Sequence, residues 1–301
     1  VFYNRIPKCG SATLSDLFET IAHTNVTHSK DVTAENLHKA FRTSNPSPEK
    51  QQDIYEFVDS HLVSPDKTML VFNGHVGYFP FNTSSLRQGY SYQLEYTNMI
   101  RDCVSRQRSA FFFRLYDISG AALAQKKNES SSYERHVLKL KESESVSECL
   151  RSESCLRRKI QTEEKTNYIS TYMADCGSHG GCRKLKKASL KKESLIDAES
   201  QISSVLNHIK AYSNVYKTFG LIEYLSEYLE MLECVYPSMR GIVHALSRSV
   251  SDHIHSQTYR HPDTTRITNK LFAEQCHDSP DSRLYPLMNA TFWSRYHALK
   301  S

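Results

Sequence analysis

Residues 1–13 read VFYNRIPKCGSAT. The first six favour a buried strand because four of them are apolar or aromatic β-formers, and Pro7 ends that strand. Gly10 permits a tight turn into a helix that we predict over Ala12–His23. A strand that enters a helix through such a turn directs free backbone N–H groups and the positive end of a helix dipole to one place. The stretch therefore predicts a phosphate or sulfate site at this turn.

The turn carries its own positive charge and its own capping residues. Lys8 supplies the charge, and Ser11 and Thr13 are suitable caps for the helix. It is not a Walker loop. That loop needs a glycine, four further residues and then Gly-Lys-Ser/Thr, whereas here the lysine precedes the glycine and no earlier glycine exists. The alternative is a structural turn with a solvated lysine, and the later motifs decide between the two.

Two further apolar runs, Thr68–Phe72 and Leu94–Ile100, predict buried parallel strands. His75 follows the first run and Arg101 follows the second. Because ligands of open α/β sheets bind beyond the carboxyl ends of the strands, both side chains stand where a reactive or anion-binding group is expected. A histidine after a strand is more often an ordinary loop residue, so its position alone does not make it catalytic.

A basic helix follows Arg101, with Ser109 on its first turns. A guanidinium group pairs with phosphate oxygens in bidentate fashion, and a serine hydroxyl adds a donor. The alternative is an amphipathic helix with a solvated basic face, and Phe111–Phe113 are expected in the core under both interpretations.

Taken in order, these motifs resemble the sulfotransferases that use PAPS (3′-phosphoadenosine 5′-phosphosulfate), and in particular the 2-O-sulfotransferases of glycosaminoglycans. The run Tyr3–Lys8 with Gly10-Ser11 resembles their 5′-phosphosulfate loop. Gly74-His75-Val76 with Tyr78 resembles the segment of the catalytic base, and Arg101–Ser109 resembles the motif Arg-Asp-Pro-x-x-Arg-x-x-Ser of the 3′-phosphate site.

The chain departs from this family at two positions. Cys103 stands where the family usually has proline, which is pre-organised for a helix start, so the turn is expected to be slightly looser without losing a ligand. Asn73 stands where some members have a second histidine, so any role of that imidazole is absent or moved.

The resemblance implies an α/β, P-loop-like sulfotransferase fold, with a central mostly parallel sheet flanked by helices. It implies a single catalytic domain over residues 1–301 that transfers a sulfuryl group from PAPS to the 2-hydroxyl of a uronic acid (iduronate or glucuronate) in heparan or dermatan/chondroitin sulfate. Both substrate branches stay open, because Lys8–Ser11 is closer to the dermatan/chondroitin branch and Arg5–Lys8 to the heparan branch.

The resemblance also assigns roles to residues, with PAPS as the only cofactor, PAP as its product and no metal. His75 is the general base, because a histidine titrates near neutrality, and Lys8 neutralises charge on the leaving phosphate. Arg5 contacts the acidic sugar, while Arg101 and Ser109 hold the 3′-phosphate. The 5′-phosphosulfate is held by the turn itself, that is by Pro7, Lys8, Cys9, Gly10, Ser11, Ala12 and Thr13.

The composition fits a globular secretory protein. The chain has 301 residues, of which 39% are hydrophobic and 24% charged, with a formal net charge of +5. There is no Pro/Gly-rich linker and no internal repeat, which favours one domain. Eight cysteines suggest an oxidising compartment. Four sequons support a secretory glycoprotein, at Asn25, Asn82, Asn128 and Asn289.

No apolar run approaches the roughly 20 residues that span a bilayer. The sequence starts in a core strand without Met, so we expect an upstream segment, which by resemblance is a type II Golgi anchor and stem. The expected partners are a sulfated glycosaminoglycan chain and the Golgi membrane, and the expected localisation is the Golgi lumen. The heparan branch forms homotrimers, which suggests a homo-oligomer.

The cysteine spacing predicts two local disulfides, Cys149–Cys155 and Cys176–Cys182, and the family carries a similar pair of bridges. Zinc is the competing interpretation, but the pairs lack Cys-x2-Cys spacing. Cys9 and Cys103 lie on loops expected to converge, so they either pair or remain two thiols. Cys234 and Cys276 likewise either pair or remain free.

Basic residues crowd residues 157–159 and 183–192 and are expected to form a solvated face that also attracts a polyanionic sugar; no nucleic-acid motif accompanies them. Weak amphipathic spacing predicts helices over Ala34–Phe41 and Gln51–Leu62, and Val215–Ile222 predicts a further strand. Two functions compete with sulfate transfer: a P-loop kinase-like phosphotransferase, and a non-catalytic glycosaminoglycan-binding protein that has kept the fold.

Overall fold

The structure, a computed structural model, describes residues 1–4, 6, 9, 11–23, 32–36, 48–61, 69–74, 78, 95–116, 140–141, 143–160, 169, 173, 192–210, 216–246 and 262–301. The chain divides into two compact units. The first unit takes in Val1–Arg101, Asn167–His253 and Arg283–Ser301, and the second takes in Asp102–Thr166 and Ile254–Ser282.

The first unit contains a parallel sheet of four strands in the order β2-β3-β1-β4. These strands are β1 (Phe2–Asn4), β2 (Val32–Asn36), β3 (Met69–Gly74) and β4 (Tyr96–Thr97). All three pairings are parallel. One residue beyond β4, β5 (Met99–Ile100) pairs in parallel with β6 (Gly220–Leu221). The first strand of the chain is therefore an interior strand, with a neighbour on each side.

The helices of the described residues are, in chain order, α1 (Ser11–His23), α2 (Pro48–His61), α3 (Cys103–Tyr116), α4 (Val146–Arg151), α5 (Glu153–Ile160), α6 (Lys192–Ile209), α7 (Leu225–Val235), α8 (Pro262–Cys276) and α9 (Pro280–Lys300). Single 3-10 turns stand at Ile222–Tyr224 and Pro237–Met239, and residues 242–246 are helical.

Helix α1 packs against the sheet through one apolar stripe. Leu14, Leu17 and Phe18 have the i, i+3, i+4 spacing of a single helix face and are buried. The ring of Phe18 meets the ring of Tyr3 edge-on, with centroids 5.6 Å apart. Burial of each such side chain contributes about 1.5–3 kcal/mol, so the helix is held against the strand that precedes it.

A buried polar cluster joins β4 to the β6 region. The Tyr228 hydroxyl lies 2.6 Å from Thr97 Oγ1, which is 2.9 Å from Thr218 Oγ1. Burial raises the pKa of Tyr228 well above its usual range, so the phenol stays protonated and can donate. The Gly220 N–H donates to the Asn98 carbonyl at 2.8 Å. The backbone and side-chain bonds together fix the two segments to each other.

The side chain of Arg295, on α9, caps the carboxyl end of α6. Its guanidinium donates to the carbonyls of Tyr216 at 2.8 Å, of Lys217 at 3.1 Å and of Lys210 at 3.2 Å, and also to that of Ile209. Burial lowers the pKa of Arg295, although the group stays charged. Because the last carbonyls of a helix have no partners within it, this side chain satisfies groups that would otherwise need water.

The second unit has its own core and one long-range covalent link. Its buried apolar side chains come from α3, α5 and α8, namely Phe111, Phe112, Leu156, Ile160, Leu271 and Phe272. A disulfide joins Cys103 at the start of α3 to Cys276 at the end of α8. On the surface, Arg157 bridges Glu153 and Glu274 at 3.1 and 2.5 Å, and such exposed pairs add little stability.

The structure confirms several predicted elements and corrects one. The helix predicted over Ala12–His23 begins one residue earlier, and the helix predicted over Gln51–Leu62 is α2. The helix predicted over Ala34–Phe41 is wrong at its start, because Val32–Asn36 is a strand that pairs with Met69–Asn73. For these residues, hydrogen bonding to the neighbouring strand β3 outweighs a weak local helical pattern. Residues 37–41 lie outside the described residues.

Gly220→Ala should destabilise the first unit. A Cβ at this position would lie 2.3 Å from Cγ of Tyr228, and the buried ring has no room to retreat. We expect a loss of about 1–3 kcal/mol in the free energy of unfolding, measured by urea denaturation. The matched test repeats the substitution in a Tyr228→Ala background, where the added methyl meets no ring. An equal loss in both backgrounds would contradict the packing argument.

Candidate active site

The sheet brings the carboxyl ends of three strands to one edge. In the register of β1 and β3, Asn4 stands opposite Gly74, and Tyr3 stands opposite Thr97 of β4. Neighbouring strands lie about 4.8 Å apart. The chain therefore leaves β1 after Asn4 and β3 after Gly74 from adjacent positions, at the end of the sheet where the carboxyl ends of the strands lie. This is the edge at which parallel α/β sheets bind their ligands.

Several predicted site residues lie outside the described residues: Arg5, Pro7, Lys8, Gly10 and His75. Of the same loop, Cys9 is described and is fully buried. Ser11 and Ala12 are the first two residues of α1, and Thr13 is half-buried in its first turn. The predicted change from strand to helix within residues 4–11 is thus present in the backbone.

The amino end of α1 suits an anion. Its first turn contains no acidic residue, so no side chain of that turn offsets the positive end of the helix dipole. Because α1 is packed onto β1 through Phe18 and Tyr3, its amino end is held close to the carboxyl end of that strand. A phosphate or sulfate group bound here would meet several backbone donors at once.

Arg101 follows β5 directly, is half-buried, and is the last residue of the first chain segment of the first unit. The next residue, Asp102, caps α3 of the second unit. Its carboxylate accepts from the Ser105 N–H at 3.0 Å, and its carbonyl accepts from the Arg106 N–H at 2.9 Å. Ser109 lies further along α3 and is half-buried. Asp102, the acidic residue of the Arg-Asp motif, therefore caps the amino end of α3.

The start of α3 is fixed by a bond that sequence reasoning missed. We expected Cys103, in place of the family's proline, to loosen this turn. Instead Cys103 pairs with Cys276, and the Ser279 hydroxyl donates to its sulfur at 3.7 Å. The disulfide constrains the first helical residue by a covalent route. No short spacing signals this pair, because 173 residues separate its members.

The predicted pairings of the other cysteines have different outcomes. The structure joins Cys149 to Cys155, the pair that the spacing predicts. The second predicted pair, Cys176–Cys182, lies outside the described residues. The Cys103–Cys276 bond excludes the two suggested pairings Cys9–Cys103 and Cys234–Cys276. It also excludes a free thiol at Cys103. Cys234 is an exposed free thiol.

Of the four sequons, only Asn289 falls on described residues, and Asn25, Asn82 and Asn128 lie outside them. Asn289 stands in the middle of α9, half-buried, and its Oδ1 is buried without a hydrogen-bond partner among the described residues. The following Thr291 donates its hydroxyl to the Leu287 carbonyl. A glycan at Asn289 would therefore have to extend from a half-buried position within a helix.

An aromatic cluster that the sequence did not indicate lies just after β3. The ring centroid of Tyr78 is 4.2 Å from that of His208 and 5.0 Å from that of Tyr96. Tyr216 completes the cluster, 5.6 Å from Tyr96. The sequence gives no signal for it, since Tyr78 and His208 belong to distant parts of the chain.

The described residues show neither a metal site nor a membrane-spanning helix. They contain no group of three or more His, Cys, Asp or Glu side chains arranged to hold a metal ion. Within the same ranges, none of the helices combines the length and apolar character that a membrane crossing requires. No protein-family model matches the chain, and no curated protein matches it.

The two disulfides should differ in their effect on stability. In the chain-entropy picture a bridge between residues 173 apart contributes about 5 kcal/mol, and one between residues 6 apart contributes about 2 kcal/mol. Cys276→Ser should therefore lower the denaturant midpoint of unfolding more than Cys155→Ser does. Guanidinium titrations without reductant measure both, and Cys234→Ser is the matched control. Equal losses for the two bridges would contradict this assignment.

Proposed function

We propose that the chain is a PAPS-dependent polysaccharide O-sulfotransferase. It transfers a sulfuryl group to the 2-hydroxyl of a uronic acid, iduronate or glucuronate, in a glycosaminoglycan such as heparan or dermatan/chondroitin sulfate. The observation that carries the proposal is the pairing of Asn4 with Gly74. Because of it, the loop that contains Lys8 and the residue His75 leave adjacent parallel strands at one edge of the sheet.

The backbone of the first unit supports nucleotide binding at this edge. The amino end of α1, without an acidic residue in its first turn, suits the 5′-phosphosulfate. Arg101, directly after β5, suits the 3′-phosphate, because a guanidinium pairs with phosphate oxygens in bidentate fashion. By resemblance, Ser109 is the second ligand of that phosphate and Arg5 contacts the acidic sugar.

His75 and Lys8 would divide the chemistry between them. His75 accepts the proton of the acceptor hydroxyl as that oxygen forms its bond to sulfur. Lys8 neutralises the charge that grows on the phosphate oxygen as its bond to sulfur breaks. The products are the sulfated sugar, PAP and the protonated imidazole, which returns its proton to solvent. PAPS supplies the sulfuryl group, and the reaction needs no change of oxidation state.

By resemblance, the proposed setting is the Golgi lumen, with a type II anchor upstream and assembly into a homo-oligomer. The two disulfides of the described residues fit an oxidising compartment. The net charge of +5 fits a polyanionic acceptor.

A sulfate-transfer assay tests this function. The protein is incubated with labelled PAPS and with desulfated heparan, dermatan or chondroitin, and the products are analysed as disaccharides. We expect label on the 2-hydroxyl of the uronic acid in at least one polymer. Binding of the polymers without transfer would favour the non-catalytic glycosaminoglycan-binding protein. Transfer of phosphate from ATP instead would favour a kinase-like phosphotransferase.

In the same assay, His75→Ala should lower turnover by at least about 100-fold, the scale of general base catalysis. Binding of PAP should survive, because the imidazole acts on the acceptor and not on the nucleotide. His297→Ala, an exposed histidine near the end of α9, is the matched control and should leave turnover unchanged. Unchanged turnover in His75→Ala would remove this residue from the mechanism.

Arg101→Ala should weaken the binding of PAP by at least about 10-fold, because it removes a charge-assisted contact to phosphate. Isothermal titration calorimetry with PAP measures this without any turnover. Arg240→Ala removes an exposed arginine of the same unit and should leave the affinity unchanged. If both variants bind PAP as the unaltered protein does, Arg101 is not a nucleotide ligand.

A further inference from the structure

Arg101 lies between two fixed points of the backbone. On its amino side, Ile100 ends β5, is fully buried and pairs with Leu221 of β6. On its carboxyl side, Asp102 caps α3, and Cys103 is the first residue of that helix. Arg101 is the one residue between the strand and the cap. Any constraint on the start of α3 therefore also limits the backbone at Arg101.

Cys103 occupies the helix position that favours proline. The Asp102 carboxylate accepts from the Ser105 N–H at 3.0 Å, which makes Asp102 the N-cap residue and Cys103 the first position after it. Proline suits this position because its fixed φ is already helical and the helix does not use the N–H that proline lacks. The motif that the chain resembles usually has proline here. This chain has a disulfide at the same residue instead.

The partner of Cys103 lies in a turn with hydrogen bonds of its own. Both members of the disulfide are buried, with at most 3% of their surface exposed. The Cys276 carbonyl accepts from the Ser279 N–H at 3.0 Å and from the Ser282 hydroxyl at 2.5 Å. The Ser279 hydroxyl also donates to the Cys103 sulfur. The disulfide thus ties the first residue of α3 to a well-fixed point at the end of α8.

The later turns of α3 are held against α8 by contacts that do not involve the disulfide. Arg108 donates to Asn269 Oδ1 at 2.9 Å, and the rings of Phe111 and Phe272 meet edge-on with centroids 6.1 Å apart. Loss of the disulfide should therefore free the first turn of the helix and leave its later turns packed. An effect on the helix start can then be separated from unfolding of the second unit.

We propose that Cys103 and Cys276 are positioning residues for Arg101. Their bond pre-organises the start of α3, as proline does in the family that the motif resembles. Less backbone ordering is then needed when Arg101 binds a 3′-phosphate, and this strengthens binding. The inference rests on the proposed function for its consequence in nucleotide binding. The constraint on the first turn of α3 stands on the contacts described above.

Two nucleotides separate this role from a general loss of structure, because PAP carries a 3′-phosphate and adenosine 5′-phosphate lacks it. Cys103→Ser/Cys276→Ser removes the bond and creates no new thiol. In calorimetric titrations we expect its affinity for PAP to fall by about fivefold and its affinity for adenosine 5′-phosphate to change by less than about twofold. Cys149→Ser/Cys155→Ser removes the other disulfide of the second unit and is the matched control, with both affinities unchanged. Equal losses for the two nucleotides, or no loss for PAP, would overturn the proposal.

Cys103→Pro/Cys276→Ser is the rescue variant. It lacks the bond but restores a fixed φ at the first helical position. Proline also favours extended backbone at the preceding Asp102, which is the conformation of an N-cap residue. We expect the affinity for PAP to return to within about twofold of that of the unaltered protein. A loss as large as in Cys103→Ser/Cys276→Ser, in a variant that keeps its circular dichroism spectrum, would contradict the positioning role.

Hydrogen–deuterium exchange followed by NMR tests the constraint without any nucleotide. The amides of Ser105 and Arg106 both donate to Asp102, so they report on the start of α3. In Cys103→Ser/Cys276→Ser they should exchange at least about fivefold faster, while the amide of Phe112 keeps its rate. Unchanged exchange at Ser105 and Arg106 would show that the bond does not fix the turn, and would overturn the proposal.

The experiments separate the possible failures. If the unaltered protein binds no PAP, the proposed function fails and the positioning role fails with it, while the exchange rates still decide whether the bond fixes the helix start. If the unaltered protein binds PAP and loss of the bond affects both nucleotides equally, only the positioning role fails.

Discussion

The structure of the first unit depends on one backbone interaction, the insertion of Phe2–Asn4 between two parallel partners. This strand has three residues, yet it pairs with β3 on one side and with β4 on the other. Parallel strands place their carboxyl ends at the same edge, so the register of this strand decides which segments of the chain meet there. A slip of one residue would move Tyr3 from the core to the opposite face of the sheet. The buried contact between Tyr3 and Phe18 resists that slip.

Other contacts hold the partners of this strand in place. The buried hydroxyls of Thr97, Thr218 and Tyr228 connect β4 to the segment around β6, and Gly220 is small enough to let the Tyr228 ring approach. Arg295 secures the end of α6, on which His208 lies. In the second unit, the Cys103–Cys276 bond and the Asp102 cap fix the start of α3. Of these contacts, the Asp102 cap and the Cys103–Cys276 bond lie directly after Arg101 in the chain.

The sequence predicted the local features well, because their causes are local. The helix start at Ser11 agrees with the turn and capping residues that the sequence offers within Pro7–Thr13, and the strand Met69–Gly74 follows from a short apolar run. The Cys149–Cys155 pair follows from a separation of six residues. In each case the residues that decide the structure lie within one or two turns of chain.

The features that the sequence could not predict depend on distant partners. The strand at Val32–Asn36 forms because it can pair with β3, although Ala34, Glu35 and Asn36 do not favour a strand by themselves. The Cys103–Cys276 bond joins residues 173 apart, and the contact of Tyr78 with His208 joins residues on opposite sides of the polar middle of the chain. The roles of the proposed site residues at the carboxyl ends of the strands stay predictions from the sequence. The long-range contacts near them, such as the Cys103–Cys276 bond, are visible only in the folded chain.

A crystal structure of the protein with PAP bound tests the nucleotide site most directly. We expect the nucleotide to lie across the carboxyl ends of β1, β3 and β5, with its 5′-phosphate at Lys8 and the amino end of α1 and its 3′-phosphate at Arg101. His75 would then face the position of the missing sulfuryl group. A nucleotide bound at any other place, or one bound at this edge with His75 turned away from the 5′-phosphate, would contradict the account.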